Sequence, residues 1–218
     1  MPRKLLFCTD TLPYHITARV DNREEFYLSL PMMWKVVGSE CLSLRVTFGI
    51  EFQVLVLMPN HLHMILTVPE PNLGHAMNVF MSNVTRESNR VARRSGHLFG
   101  GPYHWSLIDS SLYFGHALKY VYRNPVRAKI CEKVEDYAYS TLHGLLGRSH
   151  LPFPIHFTRV GMEVGLPSDR PEQLLEWLNT PFAMEAEQLI QMGLRKRVFK
   201  EILCRKDRRP YEPLRQLI

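Results

Sequence analysis

Residues 50–68 read IEFQVLVLMPNHLHMILTV, and the fold class turns on them. IEFQVLVL (Ile50 to Leu57) alternates strongly, with the period of two that a strand requires. Met58-Pro59-Asn60 breaks the run before HLHMILTV begins at His61. Two strands joined this way form an antiparallel pair. In the second strand, side chains two apart share a face, so Leu62, Met64, Leu66 and Val68 enter a core while His61 and His63 project together from the other side. Two imidazoles so placed can bind one divalent metal and leave positions open for substrate oxygens. Two surface histidines on an edge strand would spell the same pattern, and HxH is a short motif in a chain with 10 histidines.

Outward from this hairpin, Tyr14–Arg19 (YHITAR) alternates and predicts a first strand. Ser29 and Pro31 read as the cap and first turn of a helix running to about Phe48. With Asn72 as cap, Leu73, Ala76, Met77, Phe80 and Val84 follow helical spacing. On that helix Arg86, Arg90, Arg93 and Arg94 recur at three- and four-residue spacing as a basic stripe. A short strand over Trp105–Ile108 precedes a helix from about Ser111 to Asn124, which Pro125 limits. Helices are further predicted over Pro171–Asn179 and Pro181–Lys200. Gly, Pro and His gather in GLLGRSHLPFPIHF, which sets a boundary between a domain of residues 1–149 and a C-terminal extension of residues 150–218. The expected class is α+β, an antiparallel sheet with helices packed on it.

Hydrophobic residues make up 45% of the 218-residue chain and charged residues 22%, as in an ordinary globular core. No apolar run reaches the ~18–20 residues of a membrane span, and the start lacks the apolar segment of a secretory signal. Cys8, Cys41, Cys131 and Cys204 form no CxxC pair and read as reduced thiols in a cytosolic protein. The net charge of +6 divides unevenly: residues 1–149 hold 16 Lys/Arg against 12 Asp/Glu, residues 150–192 hold 2 against 6, and residues 193–218 hold 9 against 3. A surplus in the body and the tail suits a polyanionic partner, although a basic tail also solubilises.

At 100° per residue, Phe114, Ala117, Leu118 and Val121 gather on one side of the helix that begins near Ser111. Tyr113, His116, Tyr120 and Asn124 form the neighbouring stripe, with Tyr120 and Asn124 one turn apart on one face. An amide oxygen below a tyrosine could complete a metal shell while the tyrosine attacks beside it. Tyr122 points almost opposite Asn124. A tyrosine that merely packs at the core boundary would fit the same stripe.

Taken in order, YHITARVDNREEF, VLMPNHLHMILTVPEPNLGHAM, SGHLFGGPYHWSLI, YVYRNPVRAKI and YSTLHGLLG resemble the single-tyrosine HUH transposases, in particular the REP-associated tyrosine transposases. The match covers about residues 14–147. It departs from the family in the weakly charged GGPYHWS, in Tyr122 where many relatives carry His, and in the unmatched residues beyond 150. The resemblance implies a ferredoxin-like HUH nuclease fold and a metal-dependent single-strand DNA transesterase. His61, His63 and Asn124 would ligate Mg²⁺ or Mn²⁺, and Tyr120 would form a 5′-phosphotyrosine. The expected partner is single-stranded or hairpin, REP-like DNA, contacted by Arg86, Arg90, Arg93, Arg94, Arg195 and Arg197. Trp105 could stack on unpaired bases, and His116 is a candidate base. Such a protein would be bacterial and cytoplasmic, acting at the nucleoid, as a monomer or homodimer. Two other readings compete with it. One is a domesticated protein that binds repeated DNA hairpins without cutting them; the other is a phosphoesterase that uses water as nucleophile.

Overall fold

The computed structural model describes residues 9–70, 72–157 and 170–200. Five strands form one sheet: β1 (Tyr14–Arg19), β2 (Glu51–Met58), β3 (His61–Thr67), β4 (His104–Ile108) and β5 (Val198–Phe199). Their order is β2-β3-β1-β4-β5. The first four pair antiparallel, and β5 joins β4 in parallel. The helices are α1 (Leu30–Phe48), α2 (Leu73–Ala92), α3 (Ser111–Tyr122), α4 (Asn124–Arg127), α5 (Thr141–Leu145), α6 (Pro171–Asn179) and α7 (Met184–Gly193). This is an α+β architecture with helices on both faces of a mostly antiparallel sheet. No helix among the described residues is long and apolar enough to cross a membrane.

The period-two pattern sorts the two faces. Tyr14, Ile16, Ala18, Leu62, Met64 and Leu66 bury against Met33 and Val37 of α1 and Phe80 and Val84 of α2. On the reverse face Val54, Val56 and Ile65 meet Phe114, Ala117 and Val121 of α3, together with Leu178 and Ile190 from α6 and α7. Each large apolar side chain so buried contributes roughly 1.5–3 kcal/mol. β3 lies between β2 and β1, so His61 and His63 do not sit on an edge strand.

α3 begins where the Ser110 side chain accepts a hydrogen bond from Tyr113 N–H, 3.4 Å away. Its end differs from the expected stop at Pro125. Arg123 keeps right-handed helical angles (φ −81°, ψ −7°), and α4 starts at Asn124 with Pro125 in its first turn. A first-turn proline lacks only an N–H that a helix start leaves unbonded, so the coil resumes rather than ends. Ala128 N–H donates to Asn124 O at 2.9 Å.

The segment after residue 150 packs into both layers. Phe153 packs against Phe52 at a tilt of 52°, with ring centroids 4.9 Å apart. Pro152 lies so close to Gly38 that a Cβ there would come within 2.5 Å of it, which explains a glycine inside α1. The second C-terminal helix is shorter than the predicted 181–200. α7 stops at Gly193, Leu194 turns inward, and Val198–Phe199 joins the sheet. Phe199 meets Tyr113 edge to face at 4.8 Å, which ties this strand to α3.

Candidate functional site

Where α3, α4 and the end of α7 cross the sheet, they leave a cavity of about 590 Å³. His61, His63, Tyr120, Asn124 and Arg195 line it, so the sequence candidates on β3 and on α3–α4 come together with one from the tail. His15, Thr17, Arg19, His104, Arg127 and Gln191 line it too and were missed by sequence reasoning. Part of that signal was present in YHITAR, whose alternation sends His15, Thr17 and Arg19 to the face opposite Tyr14, Ile16 and Ala18. The pairing of Thr17 with His63 and of Arg19 with His61 then brings those side chains to the histidine face. That register is a tertiary fact.

The histidine rings are neighbours: His61 and His63 have centroids 4.9 Å apart. His61 Nδ1 lies 2.6 Å from Asn60 Oδ1. An amide oxygen can only accept, so the proton sits on Nδ1 and Nε2 keeps its lone pair. His63 Nδ1 shares a 3.0 Å hydrogen bond with His15 Nε2. Burial and the charge of Arg19 lower the His61 pKa to about 4. Burial, and then the charge of His104, lowers that of His15 to about 3. His63 is held well below its ordinary value by burial first and then by His15, His61, Arg19 and Arg127. All three imidazoles are therefore neutral near pH 7.

Tyr120 is 5% exposed and meets His63 edge to face, with ring centroids 6.4 Å apart. Arg127 covers the same ring, its guanidinium carbon 4.8 Å from the centroid. Asn124 Nδ2 donates to Tyr120 O at 3.0 Å and to Val121 O at 3.3 Å. Its amide protons are thus turned into the helix, which leaves Oδ1 as the polar atom for the cavity. Tyr122 points away into the core, where its hydroxyl hydrogen-bonds Thr141 Oγ1 at 3.0 Å, and burial raises its pKa. His116 does not line the cavity; it packs between Tyr113 and Phe182 at 6.0 and 6.1 Å.

Among the described residues, no three His, Cys, Asp or Glu side chains group as a metal cage. The donor set here is of another kind: two neutral imidazoles and one amide oxygen. Arg19, Arg127 and Arg195 line the cavity, and among the described residues no carboxylate does. Such a cavity suits an anion.

The basic stripe on α2 forms a second site. Arg86, Arg90 and Arg94 line a groove of about 730 Å³ with His97, Leu98 and Phe99. Tyr27 braces it, donating to Asn89 Oδ1 at 2.6 Å and lying under the Arg94 guanidinium at 4.4 Å. Arg93 does not line the groove; it ends α2 in a left-handed conformation (φ 52°). Arg90 is partly engaged by Glu87 at 2.6 Å. Arg197 lends its carbonyl to Leu107 N–H in the sheet at 2.9 Å and does not line the cavity. Trp105 packs edge-on against Tyr14 at 6.3 Å. Among the tail cations, Arg205, Lys206, Arg208 and Arg209 lie outside the described residues, as do Cys8 and Cys204.

No protein-family profile matches the chain. It is 24% identical over 107 residues to a Haemophilus influenzae protein named "Putative REP-associated tyrosine transposase", a match covering 44% of this chain and 61% of that protein. The chain thus spans less than two thirds of the relative's length. Among solved structures it is similar to a REP-associated tyrosine transposase bound to a REP hairpin, with a TM-score of 0.58 and 19% identity over 72% of this chain and 92% of the other. A transposase structure from Deinococcus radiodurans R1, also named as putative, aligns with a TM-score of 0.37 and 14% identity over 60% of this chain and 91% of the other.

Proposed function

We propose that this chain is a single-tyrosine HUH transposase or endonuclease of the REP-associated type, which nicks and rejoins single-stranded, hairpin-forming DNA. The observation that carries the reading is the convergence of Tyr120, Asn124, His61 and His63 on one cavity that, among the described residues, arginines line and carboxylates do not. The Haemophilus relative and the hairpin-bound fold neighbour support it.

Tyr120 Oη releases its proton to water, attacks the scissile phosphorus and forms an O–P bond. The P–O3′ bond breaks, its electron pair leaves on O3′, and that oxygen takes up a proton. The product is a 5′-phosphotyrosine and a free 3′-hydroxyl, and because the phosphodiester bond is conserved, a second 3′-hydroxyl can reverse the step and rejoin a strand. Charge on the phosphoryl oxygens falls among Arg19, Arg127 and Arg195, which line the same cavity.

The residues fit a divalent ion. His61 offers Nε2, Asn124 offers Oδ1, and His63 offers Nε2 when its Nδ1 is the donor to His15, an orienting bond of the kind that metal-bound histidines make. Mg²⁺ or Mn²⁺ held there would polarise the scissile phosphate as a Lewis acid. The α2 groove and the tail supply further phosphate contacts for the hairpin.

The test is to incubate the protein with hairpin DNA carrying single-stranded flanks and Mn²⁺, then denature and look for a covalent protein–DNA adduct. An adduct is expected. Nicking without one would mean that water is the nucleophile, and binding without nicking would make the chain a hairpin-binding protein.

A further inference from the structure

The C-terminal segment does more than cover the sheet. Gln191, Leu194 and Arg195, in α7 and just after it, wall one side of the cavity. One turn earlier, Glu187 reaches Arg127, its Oε1 meeting Arg127 Nε at 2.5 Å. Glu187 does not itself line the cavity, whereas Arg127 does. Arg127 is thus held at two places: its Nε by the carboxylate and its guanidinium carbon over the Tyr120 ring, 4.8 Å from the centroid. A guanidinium presents donors along more than one edge. With Nε taken by Glu187, the terminal NH groups remain for an anion in the cavity.

We propose that Arg127 is the residue that grips the phosphate attacked by Tyr120, and that Glu187 is the positioning residue that aims it. The C-terminal segment thereby completes the site. This rests on the reading of Tyr120 as nucleophile. The contact sets the guanidinium over the ring that carries the attacking oxygen, and its fork matches two phosphoryl oxygens. A plain tether between α7 and α4 would be a poor use of this pair. The two side chains are 27% and 26% exposed, and an ion pair that water still reaches adds only modest stability.

The first measurement is binding of the full chain to fluorescent oligothymidylate in EDTA, where no cleavage occurs. Arg127→Met should weaken binding several-fold and reduce the slope of log K against log salt by about 0.7, the value for one phosphate contact on a single strand. The second is the rate of covalent adduct formation at saturating DNA. Glu187→Ala should slow it about tenfold, as expected for a misaimed contact, while oligothymidylate affinity stays equal or rises because an acid has been removed. Glu187→Gln keeps an acceptor for Nε–H and should recover most of the rate. Rate and affinity moving apart is a signature that loss of packing does not give. If Arg127→Met fails to fold, Arg127→Lys replaces it, with affinity retained and rate lost. An unchanged salt slope in Arg127→Met, a wild-type rate in Glu187→Ala, or equal rates for Glu187→Gln and Glu187→Ala would overturn the proposal. Absence of any adduct in the wild-type protein would instead sink the Tyr120 reading, and the salt-slope measurement would still report whether Arg127 grips phosphate.

Discussion

The ring of His63 on β3 meets the ring of Tyr120 on α3 edge to face, 6.4 Å between centroids and 83° between planes. The contact exists because Phe114, Ala117 and Val121 press α3 onto the side of the sheet from which the histidines project. Two residues further along the same helix, Tyr122 turns into the core and ends on Thr141. Helix geometry and packing thus separate two chemically identical side chains by environment.

Tyr120→Phe keeps the ring, its contact with His63 and its stack under Arg127, but deletes the attacking oxygen. It should fold, bind hairpin DNA and form no covalent adduct. Tyr122→Phe should form the adduct at the wild-type rate and lose about 1 kcal/mol of stability with its buried hydrogen bond. Denaturing gels and urea unfolding separate the two effects. An adduct in the Tyr120→Phe protein would move the nucleophile elsewhere.

His63→Ala removes one imidazole from the metal set and the partner of His15. Adduct formation should fall to background, and hairpin binding should be mostly retained, because phosphate contacts lie on other residues. EDTA should reproduce the loss in the wild-type protein, with recovery on adding Mn²⁺ or Mg²⁺. Full activity in EDTA would exclude the metal.

The α2 arginines divide by position. Arg86→Gln together with Arg94→Gln should flatten the salt dependence of hairpin binding by about 0.7–0.9 per lost phosphate contact. Arg93→Gln, outside the groove, should leave it unchanged. The basic tail is tested by ending the chain after Lys200, since Leu194 and Phe199 belong to the core and cannot be removed with it. A steep, unaltered salt slope in both proteins would place the DNA on another surface.

Lys119 gives a pH prediction. Its ammonium lies 5.1 Å from the Trp177 ring centroid and 4.9 Å from that of Phe182, and burial, then the charge of Arg123, lowers its pKa to about 8. The unfolded value is near 10.4. Below pH 8 both states carry the proton, and the folded state bears the full cost of the buried charge. From about pH 8 to 10.4 the unfolded chain binds more protons, so this residue adds stability as pH rises. Lys119→Met should therefore be more stable than wild type at pH 7, with the difference shrinking by pH 10. Chemical denaturation at the two pH values measures it, and a constant difference would contradict the assignment.

Much of this was legible in the sequence because it is local. Alternation in IEFQVLVL and HLHMILTV fixes a strand pair and sends His61 and His63 to one face, since the side-chain period of a strand is two. The 3.6-residue period places Tyr120 beside Asn124 and away from Tyr122. Only the tertiary structure could decide what those faces meet. The β1–β3 register delivers His15 and Arg19 to the histidines, and no period within either strand encodes a register between them. The turn at Arg123–Pro125 shows the same limit: proline can end a helix or begin one, and packing made it begin α4. Arg127 was spelled out in NPVRA, yet its place over Tyr120 depends on that second turn and on Glu187, sixty residues away in the chain. Local periodicity sets which way a side chain points, and the fold sets what it points at.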